Sequence, residues 1–175
     1  MVASAQDVEQ ALADIRSETV VGLDTETRPS FSKGESYLPC LVQVATARAV
    51  YLFQLSEVNA FPLVTELLQA SPISKAGVAL AHDLRSLKRV FPFEERNVID
   101  LGLVARACGL GQTGLRNLAG IFLGIRIPKG NRTSNWAARH LSQAQITYAA
   151  TDAWVCRELF LRFEILGLLD TPSSS

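Results

Sequence analysis

Val20-Val21-Gly22-Leu23-Asp24-Thr25-Glu26 is a β-branched, apolar run that ends in two acids one residue apart. A run of this kind reads as a buried strand, here from Thr19 to Glu26. Side chains alternate across a strand, so Asp24 and Glu26 leave it on the same side. Two carboxylates this close repel, and burying either without a partner is costly; a bound cation would offset both penalties. A solvated strand end would carry the same acids, so the pair alone does not define a chemistry. It does place the first strand of a sheet.

The pattern on either side of that strand alternates between helix and strand. Upstream, Ser4 to Asp7 reads as a helix start with a reciprocal cap, followed by a helical stripe at Val8, Ala11, Leu12 and Ile15. Downstream, Thr27 to Leu38 is a loop punctuated by Pro29, Gly34 and serines. Leu41 to Thr46 and Ala49 to Phe53 are strand-like and close enough to form a hairpin. Ser56 to Gln69 reads as a helix with Pro62 near its first turn, where the missing amide costs little. Ile73 to Ala81 reads as another strand, and a helix from Asp83 turns Leu84, Leu87 and Phe91 inward. A further stripe follows Thr113 at Leu115, Leu118, Ala119 and Phe122. Gly124 to His140 is a loop, Ser142 caps a long helix running to about Gly167, and Thr171 to Ser175 is an expected frayed tail. No element is assigned between Phe91 and Thr113. The pattern predicts one α/β domain over residues 1–175, a mixed central sheet flanked by helices.

Length and composition agree. A chain of 175 residues, 48% hydrophobic and 19% charged, can bury one sizeable core but not two ordinary ones. Its formal net charge is zero, so nucleic acid binding would have to come from a local patch. Three cysteines without CxxC spacing argue against zinc and against a disulfide framework. Met1 is not followed by a charged-then-apolar leader, and no apolar run is long enough to span a bilayer. An intracellular protein is expected, cytoplasmic or nucleoid/nuclear, with no membrane partner.

Two more acidic positions interrupt apolar surroundings. Asp83 follows Gly77-Val78-Ala79-Leu80-Ala81-His82, where an ordinary helix N-cap would also place an aspartate. Tyr148 and Asp152 stand four apart on a helix and share a face, with the small side chains of Ala149, Ala150 and Ala153 permitting close approach of another element. Just upstream, residues 126–136 carry Arg126, Lys129 and Arg132 without an acid, interleaved with polar donors and Trp136. A solvated loop would look the same. Basic side chains beside a tryptophan would equally suit a phosphate backbone and a stacked base.

Taken in order, Asp24-x-Glu26, Asp83 after a Gly-rich apolar strand, and Tyr148-x-x-x-Asp152 resemble the DEDD superfamily of 3′→5′ exonucleases in its tyrosine-bearing branch. That branch includes ribonuclease D-like and Werner-type exonuclease domains. The likeness runs from about Thr19 to Phe163, and Ser134-Asn135-Trp136 belongs to it. Glu26-Thr27-Arg28-Pro29-Ser30-Phe31 leans toward the Werner-type side, which favours DNA. His140 lies too far from Asp152 to serve as the histidine of the companion branch.

The resemblance implies a ribonuclease H-like fold and hydrolysis of DNA or RNA from the 3′ end to nucleoside 5′-monophosphates. It implies two divalent cations, Mg²⁺ or Mn²⁺, at a spacing of about 3.5–4 Å. Asp24 would be shared between them, Glu26 and Asp152 would complete one site, and Asp83 would hold the other through water. Tyr148 would orient the attacking water. Thr25, Lys129, Arg132, Ser134 and Trp136 are the expected substrate-binding residues. Ala137 departs from the acidic residue that relatives often carry there. No helical nucleic-acid-binding domain of the kind that accompanies many relatives is expected here, and a weak or partner-dependent grip on substrate is expected with it. A non-catalytic nucleic-acid-binding or adaptor module on the same fold is the alternative; a metal-independent, carboxylate-pair hydrolase is a more distant one.

Overall fold

Alternation along one strand sorts the whole molecule into two layers around a sheet. The computed structural model describes residues 1–2, 4–30, 32, 34–55, 61–130 and 133–170. Among them, α1 (Ala5–Arg16) leads into β1 (Val20–Thr27), followed by β2 (Pro39–Ala45) and β3 (Val50–Gln54). Next come α2 (Phe61–Gln69), β4 (Ser74–Gly77), α3 (Leu80–Leu87), β5 (Val98–Asp100) and α4 (Leu101–Ala107). The short α5 (Leu115–Leu118) widens into a π-helical turn over Ala119–Leu123, and α6 (Gln143–Ile165) closes the fold.

The five strands lie in the order β3-β2-β1-β4-β5. β1 pairs antiparallel with β2 and parallel with β4, which makes the sheet mixed as the sequence predicts. Val21 and Leu23 of β1 join a core with Ala11 and Ile15 of α1, Leu63 and Leu67 of α2, and Leu80, Leu84 and Leu87 of α3. Val20, on the alternate face, joins Leu101, Ala105, Val155, Leu159 and Phe163 under α4 and α6. Asp24 and Glu26 share that second face.

Both predicted caps are present. Ser4 Oγ accepts from Asp7 N at 3.1 Å while Ser4 N donates to Asp7 Oδ2 at 2.9 Å. At α6, Ser142 N donates to Gln145 Oε1 at 2.9 Å, and Gln145 N returns the bond to Ser142 Oγ. Reciprocal capping satisfies two otherwise orphan amides at each helix start.

Three differences from the sequence-based expectation have physical causes. β4 ends at Gly77 rather than Ala81, and α3 begins at Leu80. Between them Ala79 takes a left-handed conformation (φ 61°, ψ 31°), turning the chain sharply enough that Asp83 falls inside the helix instead of capping it. The cap comes from far along the chain: Asp100, at the end of β5, accepts from Ala79 N at 3.2 Å and Leu80 N at 3.0 Å. The same carboxylate starts α4 by accepting from Gly102 N at 2.9 Å. β5 and α4 fill the unassigned stretch, where a three-residue strand carries no periodicity to read. Residues 56–60 of the predicted second helix, and the 171–175 tail, lie outside the described residues. No described helix is long and apolar enough to cross a membrane.

Candidate active site

A missing side chain on β1 sets the distance between sheet and helix at the site. A Cβ on Gly22 would fall 2.0 Å from the carbonyl oxygen of Ala153 and 2.8 Å from the amide nitrogen of Arg157. The backbone of α6 therefore rests directly on the strand. Ala149 and Ala153, both fully buried, offer no bulk to hold it off. Arg157 also pairs with Glu18 at 3.1 Å, just before β1, in a largely buried ion pair that helps fix the helix along the strand.

This close approach brings Asp152 from α6 to Asp24 and Glu26 from β1. One carboxylate oxygen from each of the three lies within 4.8 Å of the other two. Glu26 and Asp152 are buried, and Asp24 is half-buried as a residue with its carboxyl drawn into the site. Burial is the main reason the Asp24 pKa stands well above the usual carboxylate value, reinforced by the charges of Asp152 and then Asp83. Asp152 is raised too, again mainly by burial, with Tyr148 and Arg116 pulling it part of the way back.

Asp83 stands outside the tight trio but close enough for its charge to act on Asp24. Its own pKa is pushed up to about 6, chiefly by burial, with His82 and Thr25 opposing the rise. Tyr148, one turn before Asp152, has its hydroxyl close enough to that carboxylate for each to shift the other's pKa. Burial, then the charges of Asp152 and Glu26, hold the phenol above its ordinary value, so it remains a neutral donor.

The donor set is all oxygen. Hard divalent cations such as Mg²⁺ and Mn²⁺ take carboxylate oxygens, and such an ion would offset the burial of these charges and, at Asp24, the repulsion from Asp152 and Asp83. The residues fit the group that the sequence implies.

The expected substrate residues divide. Lys129 is exposed, and the loop after it touches the site: a Cβ on Gly130 would sit 3.3 Å from Cδ2 of Tyr148. Ser134 is half-buried, and its carbonyl accepts from Trp136 N at 2.9 Å. Arg132 lies outside the described residues. Trp136 requires a correction: it is 0% exposed, packed with Leu41, Leu52 and Ala149, and its ring cannot stack on a base. Its centroid lies 6.0 Å from that of Tyr148, so it backs the tyrosine rather than the substrate. Thr25 is half-buried, with its hydroxyl turned inward where it acts on Asp83.

Arg116 is a site residue that the sequence did not single out. Its charge acts on both Tyr148 and Asp152, and Nη2 donates to the Pro128 carbonyl at 3.1 Å. It lines a cleft of about 600 Å³ with Arg126 and Lys129, which has no acidic residue in its wall. Ile127 and Pro128 continue that wall into a second cleft, about 330 Å³, bounded by Tyr148. A lone arginine in an otherwise apolar stripe gave no sequence signal; only the packing of α5 against the loop reveals it.

Comparison with known proteins accords with this geometry. A family model described as 3′-5′ exonuclease matches residues 1–166. Ribonuclease D of Gluconacetobacter diazotrophicus is 31% identical over 99% of this chain and 45% of its own length. The bifunctional 3′-5′ exonuclease/ATP-dependent helicase WRN of Mus musculus is 30% identical over 93% of this chain and 12% of its own. The chain thus spans less than half of either relative. The crystal structure of Escherichia coli RNase D superposes with a TM-score of 0.81 at 24% identity, covering 97% of this chain and 46% of that one, and shares the ribonuclease H-like fold. By the family model that spans nearly all of its length, this chain belongs to the 3′-5′ exonuclease family.

Proposed function

We propose that this chain is a single exonuclease domain that removes nucleotides from the 3′ end of a nucleic acid strand inside the cell, releasing nucleoside 5′-monophosphates. The observation that carries this is the convergence of Asp24, Glu26 and Asp152 oxygens within 4.8 Å. A binding module for a polyanion would gather cations. Concentrating buried and half-buried carboxylates beside a phosphate path opposes binding unless cations join them, and so favours catalysis over an adaptor role.

Two bound divalent cations would neutralise the phosphoryl oxygens, make a nucleophilic water available and stabilise the leaving 3′-oxygen. Asp24 would be shared between them, with Glu26 and Asp152 completing one site and Asp83 serving the other through water. Tyr148, kept neutral by its surroundings, would orient the attacking water by donating or accepting at its hydroxyl. Arg116, Arg126 and Lys129 would hold the phosphates of the retained strand along the acid-free cleft. Ribonuclease D relatives act, by their name, on RNA, which supports RNA as a substrate beside the DNA that the Werner-type lean favours.

The test uses linear and circular single strands, RNA and DNA, with Mg²⁺ or Mn²⁺. A 5′-labelled linear strand is expected to shorten progressively while a circle survives. Cutting of the circle would mark an endonuclease and overturn the proposal.

Tyr148→Phe separates the tyrosine from the carboxylates, because it deletes the hydroxyl and keeps the ring against Trp136. Its kcat is expected to fall on the order of 10- to 1000-fold, as for loss of one positioned hydrogen bond in a transition state. KM and metal affinity should change little. Wild-type kcat in this variant would make Tyr148 a packing residue.

A further inference from the structure

We infer that Gln43 is a positioning residue for Asp24: its buried amide orients the carboxylate toward the cations, braced on its other side by the indole N–H of Trp136. Resting on the proposed metal site, this assigns a role to two residues that touch neither metal nor substrate.

Gln43 occupies the middle of β2, where Leu41, Val42 and Val44 are all apolar and fully buried. It is the direct antiparallel partner of Asp24 in β1 and of Leu52 in β3. Paired residues on adjacent antiparallel strands project to the same face with Cβ atoms about 4.5–5.5 Å apart. The Gln43 side chain therefore leaves the sheet beside Asp24, beneath α6. It is 0% exposed, and neither Nε2 nor Oε1 makes a hydrogen bond with a described residue.

An unsatisfied amide in such a place is costly, and a leucine like its neighbours would avoid the penalty altogether. Stability alone gives no reason for a glutamine here. Trp136 Nε1 is another buried polar atom that makes no hydrogen bond with a described residue. Its ring packs on Leu41 and Leu52, which flank Gln43 along the strand and across it. One donor in need of an acceptor thus lies over the same patch as an amide in need of both. An ionised Asp24 is acceptor-only, and an amide N–H to it is a charge-assisted bond. The inferred arrangement gives Nε2–H to Asp24 and Oε1 to Trp136. Such a bond occupies one lone pair of the carboxylate and fixes its plane, leaving the remaining lone pairs for cations.

The test compares wild type, Gln43→Leu and Gln43→Met by Mn²⁺ calorimetry on the chelator-stripped chain, melting temperature with and without Mn²⁺, and nuclease rate. Metal-free variants should keep a cooperative melting transition, which shows that a loss of Mn²⁺ affinity is not a loss of the fold. Mn²⁺ affinity and kcat should each fall about 10- to 100-fold, the usual loss when a partner of a metal ligand is deleted. Should Gln43→Leu fail to fold, Gln43→Met, with nearly the same shape, gives the same readouts. Trp136→Phe should lose Mn²⁺ affinity in the same direction and to a smaller extent; wild-type affinity there removes Trp136 from the arrangement. Wild-type Mn²⁺ affinity and rate in a folded Gln43 variant would overturn the inference while leaving the metal site standing. A wild-type chain that binds no Mn²⁺ would overturn the metal site, and the inference with it.

Discussion

Asp24→Asn is expected to lower kcat on the order of 10³-fold or more and, in the same protein, to raise the melting temperature of the metal-free chain. The two effects have one source. Asp24 is the carboxylate most perturbed by burial, and the charges of Asp152 and Asp83 both act on it. Asparagine keeps its shape, removes a poorly solvated charge and ends two repulsions. Removing a buried, repelled charge without changing the side-chain shape stabilises the metal-free fold, which calorimetry reads as a higher melting temperature. Activity falls because the group proposed to be shared by both cations can no longer hold either one firmly. Calorimetry and single-turnover kinetics on one preparation would measure both. Turnover within tenfold of wild type would show that Asp24 is not the shared ligand.

Chelation should abolish activity outright, and restoring Mg²⁺ or Mn²⁺ should return it and stabilise the fold, with a pH dependence of unusual sign. Most native carboxylates are lowered and lend stability as pH rises; these are raised. For a raised group, stability is fully present below the unfolded-state pKa, about 4, and is lost as pH rises through the folded-state value. For Asp83 that value is about 6. The site's contribution to metal-free stability therefore declines from about pH 4 to above pH 6, and metal binding, which must displace those protons, strengthens over the same interval. The increase in melting temperature caused by Mg²⁺ should accordingly grow between pH 5 and pH 7.5, reaching about 2.7 kcal/mol of stabilisation when the ion is at a hundred times its Kd. Lowered carboxylates elsewhere, such as Asp14 and Glu95, cancel in the difference between metal-bound and metal-free curves. A Mg²⁺ effect that is constant across this range would contradict the site's electrostatics.

What the sequence displays of this site is what local periodicity can encode. Period two puts Asp24 and Glu26 on one face, and a spacing of four puts Tyr148 over Asp152; the structure has both arrangements. The small residues of α6 foreshadow its contact with the sheet, although the closeness is set as much by Gly22 on the opposing strand. The start of α3 is hidden because its cap, Asp100, is supplied from twenty residues downstream. Nothing local marks a left-handed alanine at 79. Trp136 looks like a stacking platform in a basic loop, yet whether a tryptophan in a loop faces solvent or core depends on what folds beneath it. Here Leu41 and Leu52 do. Arg116 and Gln43 are silent for the same reason: each matters through a neighbour distant in the chain.

The fate of the last internucleotide phosphate tests the central claim most directly. A linear strand labelled only at that phosphate would be incubated with the chain and Mg²⁺ or Mn²⁺, and the products separated by size and charge. Cleavage on the 3′-oxygen side from the 3′ end predicts that the label appears from the earliest times as nucleoside 5′-monophosphate, and not at all in excess chelator. Label that first appears in oligonucleotides or as nucleoside 3′-monophosphate, or its release at full rate without divalent cation, would contradict the account.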